Sequence, residues 1–371
     1  MGDCIVLTPA IRALKETFPQ IRITILIIYR RNYAFFWNGN KKQDTVNPYI
    51  TESSFRGTAE VFKNNPYVDK VLELDRGALK QIKGYRRIKT ELMNIIKLRK
   101  HRFDTVICSF PEDRFSLYAF LSGAKIRTGE KPAAFSFLLN RKLNITQEDG
   151  GVLRYFLNIV TSLGANVTSY DTYFSPSAES LQLADEFIKQ NGLENSSCII
   201  GVHPGSSQND RKWEADKFAE LVNLVNADFI LLYSDFDIEF ISEIKKHLSR
   251  TVYEVKTDSI SDLAALISKC NFCIMNSSGP RHLAASLGIP VIGLFYKTDD
   301  LRWGIYDKER YPVIKTRKPC NACPSDKCLA VIPEGKFSSF CMRDIDFGEV
   351  LSKTEEFILL YGKSEAGNVI N

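Results

Sequence analysis

The stretch Ser261–Phe295, SDLAALISKCNFCIMNSSGPRHLAASLGIPVIGLF, decides the fold. SDLAALIS spaces its apolar residues as a helix does, and NFCIMN is an unbroken apolar run that ends in the polar turn NSSG. PRHLAASLG then reads as a second helix and IPVIGLF as a second strand, with Gly288 and Pro290 marking the stop and the restart. Strands that are apolar along their whole length belong to parallel sheets covered on both faces.

The same alternation runs outward from this stretch. CIIGVHPG, from Cys198, is strand then turn; DKFAELVNLV is apolar at i, i+3, i+4 and i+7; DFILLYS is again strand. In the first half, Ile11, Leu14 and Phe18 share a helical face ahead of Pro19 and the strand RITILII (Arg22–Ile28). FDTVICSF (Phe103–Phe110) reads as another buried strand. The polar, aromatic stretch GANVTSYDTYFSPS (Gly164–Ser177) reads as a linker. The expectation is an α/β protein with doubly wound domains at 1–172 and 173–346, followed by a C-terminal helix and tail at 347–371.

Composition sets outer limits. A chain of 371 residues suits two domains of roughly 150 residues or a little more. With 44% hydrophobic and 25% charged residues it has the make-up of an ordinary globular protein. A net charge of +5 does not point to nucleic acid. The best apolar run, Ile23–Tyr29, falls far short of the ~20 residues that cross a bilayer. No basic segment followed by an apolar one opens the chain, so a signal peptide is not expected. Nine cysteines, scattered among apparent core strands, suit a reducing, cytoplasmic setting. Leu79–Phe103 holds many Lys and Arg with Glu91 as its only acid. It reads either as a solvated helix face or as a docking surface for an anionic partner or membrane.

Two turns carry the chemistry. Asn276-Ser277-Ser278-Gly279 follows a strand and opens a helix, so free backbone N–H groups and the positive end of the helix dipole face the sheet edge. Ser277 and Ser278 add hydroxyls, Gly279 permits close approach, Pro280 suits the first turn, and His282 lies near the same edge. Taken alone, such a turn reads as a helix cap. The stretch HPGSSQNDRKW (His203–Trp213) has a like design, with Gly205, Ser206 and Ser207 ahead of Arg211 and Lys212. Two hydroxyl-rich loops at strand ends, one with adjacent cations, suit a diphosphate.

With these residues in view, the chain resembles the bacterial lipopolysaccharide heptosyltransferases, glycosyltransferase family 9. The similarity lies in MGDCIVLTPAIRALKETFP, GVHPGSSQNDRKWEADKFAELV and NSSGPRHLAASLGIPVIGLFYKTDDLRWGIY, with FDTVICSF, LSGAKIRTG and the tail through CMRDI as further family features. The resemblance implies a GT-B architecture, two Rossmann-like domains facing a central cleft. The N-terminal half would bind the acceptor and the C-terminal half a nucleotide sugar, most often ADP-heptose. It also implies inversion at the anomeric centre with no cofactor or metal required for catalysis. By motif match Asp3 would be the general base, while Ser206, Ser207, Arg211, Lys212, Ser277, Ser278, Gly279 and His282 would hold the diphosphate. Asp237 would lie on the nucleotide ribose. The acceptor would be a lipid-linked saccharide, reached by an enzyme peripheral to the inner membrane.

Two departures from the family stand out. Where the family has NDSG or a similar acidic pattern, this chain has Asn276-Ser277-Ser278-Gly279 and so lacks a carboxylate. Met1 stands directly before Gly2-Asp3, where the family has a buried strand, so the first strand of the N-terminal sheet is expected to be missing. Both features favour one rival, a member that binds a nucleotide sugar or a partner without turnover; a GT-B sugar-nucleotide epimerase is the other rival. Separately, Cys320, Cys323, Cys328 and Cys341, within the Cys-rich segment 320–341, are compatible with a tetrahedral thiolate site for structural zinc or iron, or with free thiols or a disulfide. A branch of the family that modifies bacterial adhesins is similar in binding iron. Cys4, Cys108, Cys198, Cys270 and Cys273 read as core fillers.

Overall fold

The computed structural model describes residues 1–29, 48–54, 57–131, 134–144, 151–206, 209, 211–296, 299–304, 306–316 and 339–363. In chain order, α1 (Gly2–Thr17) is followed by β1 (Thr24–Tyr29), β2 (Thr51–Glu52), β3 (Lys70–Asp75), α2 (Arg76–Gln81) and α3 (Gly84–Lys100). Next come β4 (Thr105–Cys108), α4 (Asp113–Leu121), β5 (Ile126–Glu130), β6 (Arg141–Leu143), α5 (Gly151–Thr161) and α6 (Ala178–Gln190). The regular alternation then begins with β7 (Ile199–His203), α7 (Ala215–Leu224), β8 (Asp228–Tyr233), α8 (Ile238–Lys245), β9 (Tyr253–Lys256) and α9 (Ile260–Ile267). It continues through β10 (Phe272–Asn276), α10 (Gly279–Ser286), β11 (Val291–Phe295), α11 (Asp299–Trp303) and β12 (Val313–Lys315) to α12 (Phe340–Arg343) and α13 (Phe347–Tyr361).

The chain divides into two compact units. One holds Met1–Thr8, Gly150–Val152 and Asp171–Asn371; the other holds Pro9–Asp149 and Leu153–Tyr170. Met1–Thr8, expected in the N-terminal domain, therefore group with the C-terminal half. The cause is local packing: a Cβ at Gly2 would lie 3.1 Å from His282 Cδ2, and one at Gly279 would lie 2.6 Å from Met1 Cε. Thr8 Oγ1 also accepts a hydrogen bond from the backbone N–H of Tyr173 at 2.8 Å.

In the larger unit six strands lie in the order β12-β11-β10-β7-β8-β9, with every neighbouring pair parallel. β7, β10 and β11 are buried at every position because helices cover both faces of the sheet. Cys198, just before β7, and Ile200 and Val202 of β7 join one apolar cluster with Phe218 of α7, Phe240 of α8 and Phe357 of α13. The opposite face takes Gly201, where an added Cβ would lie 2.8 and 2.9 Å from the sulfurs of Cys273 and Cys270. α10 ends as its sequence indicates: Gly288 adopts φ +74°, a conformation other residues rarely hold, and Ile289 N–H returns to Ala284 O at 3.0 Å.

α13, expected as a segment apart, is part of this core. Phe357 meets Phe272 edge-on at 5.4 Å, Phe347 stacks on Trp213 at 6.2 Å, and Tyr361 O accepts from Asn271 Nδ2 at 2.8 Å.

The smaller unit carries two separate three-stranded sheets among the described residues, β1-β3-β2 and β4-β5-β6. FDTVICSF, expected as a buried strand, is covered only in part: Cys108 is the buried residue of β4, and β1 likewise buries Ile27 alone. Each stands at a sheet edge, with a described neighbour on one side, so its apolar side chains are covered less than those of a central strand. Cys108, Cys198, Cys270 and Cys273 are buried as expected, whereas Cys4 is half-buried. Desolvation pushes the Cys4 and Cys198 thiols up to about 11 and that of Cys108 to about 12, which keeps them protonated.

Replacing Phe357 by Ala should cost about 3–5 kcal/mol of stability, read as a lower urea midpoint with an unchanged activity per folded molecule.

Candidate functional site

The sheet order reverses between β10 and β7, and their carboxyl ends lie side by side, with Met275 opposite His203. In open α/β sheets such a switch point leaves a crevice, because the following loops diverge to opposite faces. Both hydroxyl-rich turns noted in the sequence leave from this edge. Asn276, fully buried, ties them together. Its Nδ2 donates to Pro204 O at 2.6 Å, and its Oδ1 accepts from Trp213 N–H at 3.2 Å.

The β7 turn is held open from behind. Gly205 packs on the Asp237 carboxylate so closely that a Cβ would come within 2.3 Å of Oδ1. The same carboxylate accepts from Ser234 N–H at 3.2 Å and Ser234 Oγ at 2.8 Å, and Lys212 Nζ lies 4.0 Å from it. Both charged side chains are almost wholly buried, and Lys212 also sits 5.0 Å from the Phe240 ring centre. Burial lowers the Lys212 pKa, and the Asp237 charge opposes that shift. His203 is neutral for the same first reason, since desolvation lowers its pKa. Arg211 takes the other direction and lies over the Tyr296 ring at 5.6 Å.

The β10 turn leads into α10. Ser278 is its N-cap residue in extended conformation, and its side chain makes no cap hydrogen bond. Its Oγ is buried without a partner among the described residues, as are His203 Nδ1 and Trp213 Nε1. Ser278 Oγ and His203 Nδ1 thus leave polar atoms unused at one sheet edge, where Gly279 supplies the free first-turn N–H of α10, since Pro280 has none and Arg281 N–H already donates to Ser278 O at 3.2 Å. Buried polar atoms in native proteins nearly always have partners, so this pattern marks a place for a ligand or ordered water.

His282, in the first turn of α10, is buried with Nδ1 2.9 Å from the Tyr306 hydroxyl and Trp303 edge-on at 5.5 Å. Desolvation, then the Arg281 charge and the chain's amino terminus, push its pKa down to about 3. It is a neutral hydrogen-bonding group. Asp3, in the first turn of α1, is exposed, one residue from the Gly2 that abuts His282.

A family model described as glycosyltransferase family 9 (heptosyltransferase) matches residues 94–331, more than half of the chain. The chain belongs to glycosyltransferase family 9. Among curated relatives, lipopolysaccharide heptosyltransferase 3 of Escherichia coli is 21% identical over 313 residues, covering 81% of this chain and 82% of the relative. The crystal structure of a family 9 glycosyl transferase from Veillonella parvula superposes with TM-score 0.72 at 20% identity, covering 97% of this chain and 94% of that one. The structure of E. coli ADP-heptose lps heptosyltransferase II gives TM-score 0.66 at 18% identity, with 97% and 96% covered. The α/β architecture of this family 9 chain, with its parallel sheets, is therefore the GT-B fold of those proteins.

Within that fold the residues singled out in the sequence fall into three groups. Ser206, Ser277, Ser278, Gly279 and His282 gather at the β7 and β10 edge, with Arg211 beside them. Lys212 and Asp237 differ from their expected parts at the diphosphate and the ribose. Each is turned inward toward the other, because Gly205 leaves room for a carboxylate behind the loop. Ser207, Cys320, Cys323 and Cys328 lie outside the described residues. Cys341 is buried in the apolar cluster beneath the sheet, and no group of three or more His, Cys, Asp or Glu is placed to hold a metal among the described residues.

Three residues of the site were not singled out in the sequence: Asn276, Arg281 and Tyr306. Arg281 is 1% exposed, lies between the rings of Phe295 at 4.8 Å and Tyr306 at 5.4 Å, and donates to Trp303 O at 3.1 Å. Gly293 makes its space, since a Cβ there would lie 2.7 Å from Arg281 Nε. An arginine in PRHLAASLG, a short stretch with no acid to pair with it, was the available signal.

Gly205→Ala should lower stability by about 1–3 kcal/mol and weaken nucleotide binding, measured by thermal melts with and without ADP. His282 carries a pH signature. Its unfolded pKa is ~6.5 and its folded value about 3, so between those values the unfolded chain binds the extra proton. Stability should therefore fall as pH drops through that window, by up to about 1.4 kcal/mol per pH unit from this group. His282→Gln should flatten the slope of melting temperature against pH between neutral and mildly acidic buffer.

Proposed function

We propose that this family 9 member is an inverting glycosyltransferase. It moves heptose, or a related sugar, from a nucleotide-diphosphate donor to a lipopolysaccharide-core or similar saccharide acceptor. Similarity to lipopolysaccharide heptosyltransferase 3 and to ADP-heptose lps heptosyltransferase II supports ADP-heptose as donor and a lipopolysaccharide acceptor. The observation that carries the reading is the unpartnered, buried hydroxyl of Ser278 at the open start of α10, beside the β7 turn.

In this reading the acceptor hydroxyl gives its proton to the Asp3 carboxylate and its oxygen attacks the anomeric carbon. The bond from that carbon to the diphosphate breaks on the opposite face, which inverts the centre. Negative charge gathers on the departing diphosphate, where fixed donors lower the barrier most. The Gly279 N–H, Ser277, Ser278, Ser206, Ser207 and Arg211 receive it, and Gly279 lets the phosphate approach the backbone. Neutral His282 supplies a directional hydrogen bond. Lys212 and Asp237 act from behind, as an opposite-charge pair that holds Gly205 in place. Protein groups rather than a metal carry the leaving-group charge.

Release of free nucleotide from ADP-heptose and other nucleotide sugars, with and without lipopolysaccharide-core acceptor, tests this. Acceptor-dependent release is expected. Sugar interconversion would assign an epimerase, and donor binding with neither reaction would assign a silent binding protein. Asp3→Asn should lower acceptor-dependent turnover by at least about a hundredfold while leaving the donor dissociation constant within about twofold. Retained turnover would remove Asp3 from its part.

A further inference from the structure

α3 is packed opposite to what its pattern suggests. Its core-facing side holds Thr90, Asn94 and Leu98, and its outer side holds Tyr85, Ile88, Leu92 and Ile96, exposed by 77, 68, 54 and 40%. At 100° per residue these four fall within one narrow stripe, directly across the helix from Asn94. An apolar stripe would ordinarily turn inward. Here polar contacts forbid it. Asn94, fully buried, donates from Nδ2 to Pro48 O at 3.0 Å and accepts from Ile50 N–H at 2.8 Å, and Lys97 Nζ donates to Ile50 O at 2.9 Å. Rotating the helix would break all three and leave backbone groups unpaired.

Charge borders this stripe. Arg86, Lys89, Arg99 and Lys100 are exposed beside it. The helix's one acid, Glu91, is turned to the inner side, where it accepts from Tyr118 Oη at 2.7 Å and pairs with Arg114 at 3.5 Å. The outward face therefore presents large apolar groups bordered along one side by Arg86, Lys89 and Lys100, with Arg99 at its C-terminal end and no competing carboxylate from the helix. That combination matches a surface that is apolar beneath and anionic at its boundary.

We propose that α3 is an in-plane membrane anchor that seats Tyr85, Ile88, Leu92 and Ile96 among the acyl chains of an anionic bilayer, with the bordering Arg and Lys on its phosphate headgroups. The proposal is independent of the donor chemistry assigned above, because α3 belongs to the smaller unit and the β7 and β10 strands to the larger. It accounts for a stripe that solvent exposure alone would disfavour.

The full-length chain should co-sediment with vesicles of phosphatidylethanolamine and phosphatidylglycerol, weakly or not at all with phosphatidylcholine, and less as salt rises. Ile88→Glu with Leu92→Glu should lower the partition by about tenfold or more. Ile88→Ser with Leu92→Ser serves as the milder pair if the glutamates disturb folding, which circular dichroism and the melting temperature would reveal. Lys89→Glu with Lys100→Glu should remove the preference for phosphatidylglycerol. Nucleotide release with a soluble acceptor should be unchanged in all three. Absence of vesicle binding by the unaltered chain, or binding that survives both apolar pairs, overturns the proposal. A dimer in sedimentation velocity that Ile88→Glu with Leu92→Glu splits, without vesicle binding, would instead assign the stripe to a second copy.

Discussion

One buried side chain makes the candidate site possible. Asn276 closes β10, yet its amide serves the chain around β7, giving to Pro204 O and taking from Trp213 N–H. An amide with no solvent contact must find partners, and these two also need it, so the two strand ends are locked in one register. Because β7 and β10 are the strands at which the sheet order reverses, their turns part above this link. Everything proposed about an anion at the sheet edge depends on that separation and on its being held fixed.

Charge inside this half of the protein is arranged around the same edge. Lys212 and Asp237 are buried together behind Gly205, and Arg281 is buried between aromatic rings with backbone carbonyls as its acceptors. A buried cation costs desolvation and is tolerated when partners are near or when a ligand adds the missing charge. The low pKa of His282 fits the same picture: burial is its first cause, and the positive charges of Arg281 and the chain terminus add to it. The site thus combines a neutral, directional imidazole with fixed positive potential. That suits recognition of a phosphate without transfer of a proton to it.

Much of the C-terminal half was legible because its signals are local. Unbroken apolar runs gave β7, β8, β10 and β11, and Gly288 and Pro290 marked the end of α10 and the start of the next strand. The N-terminal half was less legible. FDTVICSF reads as a buried strand, yet it and RITILII both lie at sheet edges and are largely half-covered. Hydrophobicity announces a strand but says nothing of how many neighbours it will have. In α3 the outward turn of Ile88 and Leu92 depends on Asn94 and Lys97 finding the backbone of residues 48–50, more than forty positions away.

The sequence by itself determined the strand and helix types of the second sheet, the turn chemistry of HPGS and NSSG, and membership of a glycosyltransferase family. These follow from residue order at short range, where periodicity and backbone preference act. Only the tertiary structure decided that the two turns share one edge, that Lys212 and Asp237 face inward, that Arg281 lies among aromatics, and that α3 shows its apolar side to the exterior. Whether a polar or charged group is buried is settled by partners brought from distant parts of the chain, and no local pattern carries that information.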